Sequence, residues 1–413
     1  MAPLQPPRRK DPLKRSRLPL LPPGGRSRAA HRLTAAAAEG RFALPRCSAC
    51  EAWHFPVREA CPECLSADIT LADAPPGATI LSQTTAEVPA DPYFRERAPW
   101  RVGLAKLDAG PTALVHLHPD GKAGSRVQLA LMLDRAGQAV FYAAPERKGT
   151  EPMNDPQWRE MVADPLHRRV LITDARSFVA LPLAKALVKA GAREVRLGLP
   201  ESWKPFDAVG ALTALPEVSI LPLDPGSDRS VAEYARNYGG KTEIVINTTD
   251  HLRPGGTLQT ELTTAREMME ALVFGPMRLA RALAPAMIGR GADGEVGAAA
   301  WVNLLSIHAR APAPGLAAWS AAQAAALAWS HSLRTELAQG GVKLLNVFSG
   351  PTEDEWFQTW PLPRVGGVAL ARAVVDGLKR GLEEAYVGDV AKDLQTRLSD
   401  NPKAVERELR QGG

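Results

Sequence analysis

Residues 168–200 read RRVLITDARSFVALPLAKALVKAGAREVRLGLP and decide the fold of the C-terminal part of the chain. Two short apolar runs, 168–174 and 194–200, flank a stretch with helical spacing. The same alternation continues downstream, with further apolar runs at 218–224, 243–249, 298–306 and 342–350. Buried apolar strands that alternate with helices predict an α/β fold with a doubly wound parallel sheet of the Rossmann type.

The charge of the chain is concentrated at one end. Of the 413 residues, the first 33 carry nine Lys and Arg residues against Asp11, a net charge of +8, which leaves about −3 for the rest of a chain whose total is +5. This basic arm is rich in proline and cannot form a long amphipathic helix. No run of about eighteen apolar residues is present, so we expect a cytoplasmic protein without a membrane segment.

Composition divides the chain into five parts. Residues 77–144 carry five short alternating strands separated by turn-forming residues, which predicts a small closed barrel. A polar stretch without an apolar period follows the barrel. The predicted parts are a basic arm 1–30, a helix and zinc ribbon 31–75, an OB-like barrel 76–145, a linker 146–165 and a Rossmann-type domain 166–413.

All four cysteines lie in RCSACEAWHFPVREACPECLS, residues 46–66. Cys47, Cys50, Cys61 and Cys64 form the pattern CxxC–x10–CxxC, in which two turns direct four sulfurs toward one point. We predict a structural zinc ion, because four thiolates fill a tetrahedral shell and leave no position for water or substrate. An unmetallated ribbon or an iron site are the alternatives.

A zinc ribbon followed by a five-stranded barrel resembles the rubredoxin-like zinc-ribbon/OB-fold proteins that accompany thiolase-like enzymes. The resemblance runs from about His31 to Pro145 and is carried by AEGRF, LPRCSAC, FPVREACPECLS and the barrel opening GATILSQTT. It implies that the domain bridges subunits of a thiolase, an aldolase or an acyl-CoA hydratase and helps to present the acyl-CoA.

The segment PYFRERAPWR, residues 92–101, holds the candidate ligand-binding residues of the barrel. Arginine and aromatic side chains together could hold the phosphates and adenine of coenzyme A, which makes Arg95, Arg97, Trp100 and Arg101 candidates for acyl-CoA binding. They could equally form ordinary surface or an interface. Stacking of single-stranded nucleic acid is the weaker alternative.

Residues 166–400 resemble the short-chain dehydrogenase/reductase family, carried by NTT after the fourth strand, VFGPMRLARAL, NLLSIHAR and VFSGPTEDE. Asp224 stands where the family places an acid near the adenine. The family's reaction needs a Ser, a Tyr, a Lys and an Asn. Their positions are occupied by Ser306, Trp319, Gln323 and Leu272. We therefore expect no catalytic residues in this domain.

The family's cofactor loop carries three glycines that let the backbone approach the pyrophosphate. In TDARSFVALP, residues 173–182, these positions hold Asp174, Phe178 and Ala180. We expect Asp174 or Ser177 to cap the following helix in place of a phosphate. The sequence thus predicts that the chain binds no NAD(P).

These features favour a non-catalytic accessory subunit of a thiolase-like acyl-CoA complex, with the ribbon and barrel engaging the partner and an acyl-CoA. The dehydrogenase-like domain would then serve assembly, as a homo- or hetero-oligomer. Tryptophans of that domain suit an interface as well as a core; they are Trp301, Trp319, Trp329, Trp356 and Trp360. An unconventional short-chain dehydrogenase-type enzyme acting on acyl-CoA and a single-stranded nucleic-acid-binding protein are the alternatives.

Overall fold

A computed structural model of the chain describes residues 19–146, 155–290 and 299–409, apart from residues 202, 359, 361 and 362. The chain forms two compact units. The first contains Leu20–Asp164 with Lys379–Glu383, and the second contains Pro165–Leu378 with the residues from Glu384 onward. Most of the predicted arm, residues 1–18, lies outside the described residues.

The zinc ribbon begins with helix α1, His31–Ala38, and two short antiparallel strands, β1 (Ala43–Cys47) and β2 (Ile69–Asp73). Cys47 pairs with Ile69 at one end of this ribbon, so both cysteine turns lie between the two strands. The buried face of α1 packs with Leu44 into the same apolar core as the barrel residues that follow. The ribbon and the barrel therefore share one core.

The predicted five-stranded barrel is confirmed. Its strands close in the order β3-β4-β5-β7-β6. They are β3 (Gly77–Ala86), β4 (Trp100–Leu107), β5 (Thr112–Leu117), β6 (Arg126–Leu133) and β7 (Ala139–Pro145), with the short helix α2 (Pro92–Glu96) between β3 and β4. Alternate residues such as Ala113, Val115 and Leu117 are buried, as the period of two requires.

The predicted linker is only partly a connector. Residues 147–154 lie outside the described part of the chain, but residues 155–164 belong to the barrel unit and include helix α3, Pro156–Arg159. Met161 and Val162 are buried in a cluster with Tyr142 of β7. We call residues 155–164 the strap, because they pack along the barrel.

The second unit is a seven-stranded sheet whose neighbours are all parallel, in the order β10-β9-β8-β11-β12-β13-β14. The strands are β8 (Arg169–Ile172), β9 (Glu194–Leu199), β10 (Val218–Pro222), β11 (Ile244–Asn247), β12 (Ala300–Ser306), β13 (Lys343–Ser349) and β14 (Glu384–Val387). The predicted doubly wound sheet is confirmed, and the strand order reverses between β8 and β11. The sequence did not predict β14, a four-residue edge strand that is only partly buried.

Helices connect these strands. They are α4 (Ala180–Lys189), α5 (Val209–Thr213), α6 (Asp228–Tyr238), α7 (Leu262–Met269), α8 (Gly275–Gly289), α9 (Ala317–Ala338), α10 (Gly367–Arg380), α11 (Asp389–Asp400) and α12 (Pro402–Leu409). A π-helical turn, Glu270–Phe274, joins α7 to α8. This continuous helix is, among the described residues, the one long and apolar enough to cross a membrane, but half of its apolar window is buried within the domain.

The tryptophans that suggested an interface divide into two groups. Trp301 is fully buried and Trp319 nearly so, and both pack in the core of the unit. Trp329 and Trp360 are partly buried, and Trp356 is exposed. Core packing therefore accounts for the first two, and a place at an interface stays a prediction for the other three.

Candidate functional site

The four cysteines converge as the spacing predicts. Their sulfurs all lie within 4.8 Å of one another, with Cys47 Sγ 3.6 Å from Cys64 Sγ and Cys50 Sγ 3.5 Å from Cys61 Sγ. A zinc ion with Zn–S bonds of about 2.3 Å sets the edges of its tetrahedron at roughly 3.8 Å. The donor set and its dimensions fit a structural zinc ion.

Backbone N–H groups around the cysteines stabilise the thiolate form of the sulfurs. The N–H of Cys50 points to Cys47 and lowers the pKa of its thiol to about 7. The N–H groups of Glu63 and Cys64 donate to Cys61 Sγ at 3.4 and 3.5 Å. Because such bonds favour the thiolate, they favour metal binding at neutral pH.

Arg101, one of the acyl-CoA candidates, lies inside an ion-pair network with the strap. Its Nη2 donates to Asp155 Oδ1 at 2.5 Å, and its Nε donates to the carbonyl oxygen of Leu117 at 3.2 Å. Asp155 is buried and also accepts the Tyr142 hydroxyl at 2.5 Å. The structure therefore gives Arg101 the role of neutralising a buried carboxylate.

Arg97 and Trp100 are also engaged within the barrel unit. Arg97 Nε lies 2.9 Å from Glu160 Oε2 of the strap, and its guanidinium stacks over the Tyr93 ring at 4.0 Å. Trp100 is buried and donates to His116 Nδ1 at 3.0 Å, while burial lowers the pKa of His116 to about 4 and keeps that ring neutral. An open stacking surface for bases is not formed by these side chains.

Arg95 differs from the other three candidates. Its guanidinium is exposed and donates to the carbonyl oxygens of Pro89 and Ala90 at 3.1 and 2.7 Å. The role of the four residues in acyl-CoA binding stays a prediction, and among them only Arg95 has its charged group at the surface without a carboxylate partner in the described structure.

Two adjoining cavities lie at the carboxyl edge of the parallel sheet, beside the reversal between β8 and β11. Thr173 and Asp174 follow β8, and Thr248 and Thr249 follow β11. The larger cavity, about 520 Å³, extends to Asp224, and the smaller one, about 180 Å³, extends to the ends of β12 and β13. Asp174 and Thr249 line both. This edge is where doubly wound sheets bind ligands.

Three of the four family positions come together at the smaller cavity. Ser306 ends β12, and Trp319 and Gln323 lie one turn apart on α9. The Ser306 N–H donates to Gln323 Oε1 at 3.2 Å, so the amide occupies the place of the family's lysine as a hydrogen-bond acceptor. Leu272, the fourth, is buried in the π-helical turn within an apolar cluster.

Asp250 is the residue of this site that the sequence did not reveal. It follows the NTT segment directly, and its Oδ1 accepts the Trp319 Nε1–H at 2.9 Å and the His251 N–H at 2.8 Å. Asp250 is exposed as a residue, but the protein packed around its carboxyl group desolvates that group and raises its pKa to about 6, to which the charge of Asp354 contributes. An acid after a strand was the available signal, but its contact with Trp319 joins residues 69 positions apart.

The loop after β8 corrects one expectation. Asp174 Oδ1 accepts the N–H of Arg176 at 2.8 Å within the loop, and α4 begins at Ala180 without a side-chain cap. Capping of α4 by Asp174 or Ser177 is therefore wrong, and burial raises the pKa of Asp174. Phe178, which lines the smaller cavity, is 37% exposed and also packs beside Gly367 at the start of α10.

Two family models match segments of the chain. Residues 34–70 match the family model of the ChsH2 rubredoxin-like zinc ribbon domain, and residues 168–362 match that of the short chain dehydrogenases. A Bos taurus protein named dehydrogenase/reductase SDR family member 7B is 29% identical over 264 residues, which cover 60% of this chain and 76% of that protein. The Rattus norvegicus member 7C is 26% identical, covering 53% and 71%.

Solved structures agree on the fold. A short chain dehydrogenase from Burkholderia cenocepacia, crystallised with NADP, gives a TM-score of 0.53 at 28% identity, covering 60% of this chain and 98% of that one. A short-chain dehydrogenase from Streptomyces avermitilis gives 0.51 at 23% identity, covering 59% and 97%, and shows the fold alone.

The expectation that NAD(P) is excluded is wrong. The Burkholderia structure is a complex with NADP, and this chain matches nearly the whole length of that protein. The structure also removes one physical reason for the exclusion, because no side chain caps the first N–H groups of α4. An uncapped helix N-terminus can hold a phosphate, although here the Ala180 N–H donates to the Ser177 carbonyl oxygen at 2.8 Å and Pro182 has no N–H.

The residues present fit a nicotinamide dinucleotide in outline. The larger cavity with Asp224 at its edge has room for the adenosine part, and Arg176 lies in the loop before α4 where phosphates would meet it. The smaller cavity would take the nicotinamide ring.

By its fold and these family matches, the chain joins a ChsH2-type rubredoxin-like zinc ribbon and a small closed barrel to a C-terminal short-chain dehydrogenase domain.

Proposed function

We propose that this chain is an accessory subunit of a thiolase-like acyl-CoA enzyme. In this proposal the ribbon and barrel contact the catalytic partner, and the dehydrogenase domain serves assembly rather than proton transfer. The observation that carries it is the pair of contacts at the smaller cavity, Trp319 to Asp250 and Ser306 to Gln323, which fill the family's relay positions with groups of different chemistry.

Proton transfer at these positions lacks its usual groups. A tyrosine relay needs a phenol that ionises and a nearby cation that lowers its pKa. Trp319 has no hydroxyl, and its N–H is held by Asp250. Gln323 is neutral, and its oxygen accepts the Ser306 N–H. The family's fold is present, but the tyrosine and lysine that transfer the proton are replaced by Trp319 and Gln323.

Acyl transfer also lacks a nucleophile in this chain. All four cysteines of the sequence lie in the metal-binding cluster. A thiolase-type reaction needs a free cysteine thiolate to carry the acyl group. That thiolate would therefore belong to a partner, which agrees with the resemblance of the ribbon and barrel to domains that accompany thiolases.

An apolar patch on the barrel supports a protein partner. Leu104 of β4 lies opposite Leu114 of β5, and Leu81 lies at the bulge in the adjacent β3. Their exposed fractions are 39%, 65% and 51%. Exposed leucines that adjoin one another on three neighbouring strands are typical of a binding surface. We assign this patch, Leu81, Leu104 and Leu114, to the thiolase-like partner.

Coexpression with a thiolase-like protein from the same cell tests the proposal. The two should copurify, and Leu114→Asp should abolish the complex without lowering the melting temperature, because the side chain is exposed. Val88→Asp is the matched control, since Val88 is also exposed but lies beyond the end of β3. If no thiolase-like protein from that cell binds the wild type, the proposal is contradicted.

A second candidate is an unconventional dehydrogenase. The matched relatives are named dehydrogenase/reductases, and Asp250 offers an acid with a pKa of about 6 in the same cavity as Ser306. A bound nicotinamide dinucleotide would supply the hydride chemistry, and Asp250 would hold or release the proton. Turnover of a carbonyl compound by the isolated chain, lost in Asp250→Asn, would favour this candidate.

A further inference from the structure

The smaller cavity carries an excess of negative charge. Its charged lining residues, within the described chain, are Asp174, Asp250 and Asp354 against Arg176. Arg176 neighbours Asp174, and its Nη2 donates to the carbonyl oxygens of Glu201 and Lys204 at 2.6 and 2.8 Å.

Among the described residues, the structure shows no such compensation for Asp250 and Asp354. The charge that acts on Asp250 is that of Asp354, which is negative. Both hydrogen bonds to Asp250 come from neutral N–H groups and reach the same oxygen, Oδ1. Gln323, at the family's lysine position, brings no positive charge. The end of the cavity beside Trp319 is therefore negative where the family's pattern would make it positive.

We propose that the Asp250 carboxylate makes this cavity select the oxidised form of a nicotinamide dinucleotide over the reduced form. The oxidised ring is a pyridinium cation, and the reduced ring is neutral. Both forms carry the same phosphates and the same adenosine, so the difference in their affinities isolates the effect of the ring charge. This selection is independent of the thiolase-like partner, because it belongs to the isolated chain.

Because the cavity is small, the charge of the Asp250 carboxylate would act strongly on a bound nicotinamide ring. In about 180 Å³, a ring cannot lie far from the Asp250 carboxylate. A unit charge a few ångströms from a carboxylate, at the effective dielectric constant of a protein surface, changes a dissociation constant by about tenfold or more.

The selection depends on pH in a defined direction. The groups around Asp250 are Asp354 after β13, Asp174 and Arg176 after β8, and His251, which lies 3.8 Å from Glu267 of α7. Since the pKa of Asp250 is about 6, the carboxylate is charged at neutral pH and becomes neutral as the pH falls below 6. The preference for the oxidised form should then decline at acidic pH.

Isothermal titration of the zinc-loaded full chain with NADP+, NADPH, NAD+ and NADH tests the proposal. At about pH 8, the dissociation constant of the reduced form should exceed that of the oxidised form by about tenfold or more. Asp250→Asn should bring this ratio close to one, and about pH 5 should do the same for the wild type. Asp376→Asn, on the exposed face of α10, is the matched control and should leave the ratio unchanged.

Three outcomes would overturn the proposal. They are a wild-type ratio at or below one, a ratio that Asp250→Asn leaves unchanged, and no binding of any of the four compounds at millimolar concentration. Far-ultraviolet circular dichroism checks that each variant is folded. If Asp250→Asn is not folded, Asp354→Asn and the pH series of the wild type decide, and both must lower the ratio.

Discussion

The ribbon and the dehydrogenase cleft both match known families, but they preserve different things. In the ribbon, all four metal-binding side chains are present and their sulfurs converge within 4.8 Å. In the cleft, the strands, the helices and the cavity are present, while Trp319 and Gln323 replace the reacting side chains. A backbone scaffold can therefore persist when the chemistry of its side chains has changed, and the fold alone does not determine the function.

The physical reason lies in what holds each region together. The ribbon is a small element whose fold depends on its ligands, because two short strands provide little apolar burial of their own. The cleft belongs to a parallel sheet with a large apolar core, in which Trp319 itself packs. That core does not require the tyrosine and lysine of the family, so other side chains of suitable size can occupy the cleft, whereas the ribbon requires its four ligands.

The largest effect is expected when a cysteine ligand of the ribbon is removed. Cys47→Ser should lose the zinc ion, about one per chain, and unfold much of the first unit, because the ribbon shares its core with the barrel. Elemental analysis and limited proteolysis measure the two effects, with Ser48→Ala as the exposed control. Zinc retained at the wild-type content in Cys47→Ser would contradict the assignment of the ligands.

The next effect concerns the strap. Arg101→Met removes the cation that neutralises Asp155, whose side chain is fully buried, and should destabilise the first unit by about 3 kcal/mol. Arg95→Met, at the exposed arginine nearby, should change the free energy of unfolding by less than about 0.5 kcal/mol. Urea unfolding measures both, and equal effects would refute the structural role of Arg101.

A smaller effect is expected in the cleft. The folded state raises the pKa of Asp250 from 3.8 to about 6, so the folded protein binds the proton more tightly and loses stability as the pH rises through this range. Asp250→Asn should therefore be more stable than the wild type at about pH 8, by about 1 kcal/mol after allowing for the solvent in the cavity. The difference in stability between Asp250→Asn and the wild type should disappear at about pH 4. Thermal unfolding at the two pH values measures it, and a gap that does not depend on pH would contradict the raised pKa.

The sequence predicted the elements whose signals are local. Apolar alternation identified the five barrel strands, and apolar runs separated by helical stretches identified six of the seven strands of the parallel sheet. The cysteine spacing identified the metal-binding set. Each of these signals is contained in a few adjacent residues; the strands are confirmed, and the four sulfurs converge as the spacing predicts.

The features that the sequence missed depend on contacts between distant residues. Residues 146–165 are polar and lack an apolar period, which predicts a connector, whereas the burial of Asp155 in the strap depends on Arg101, 54 positions away. Asp250 gives no local signal of its role, because it lies in the segment after β11 and its partner, Trp319, lies on α9, 69 positions away. The uncapped start of α4 required the backbone geometry itself, and the wrong expectation about NAD(P) rested partly on that point.

Acyl-CoA cleavage by the purified components tests the central proposal, that this chain is an accessory subunit. The assay compares the chain alone, its copurifying thiolase-like partner alone, and the two combined at equal concentration, each with coenzyme A and a 3-oxoacyl-CoA. We predict activity for the combination and little or none for either component. Cleavage at the full rate by the partner alone, or any turnover by this chain alone, would contradict the account.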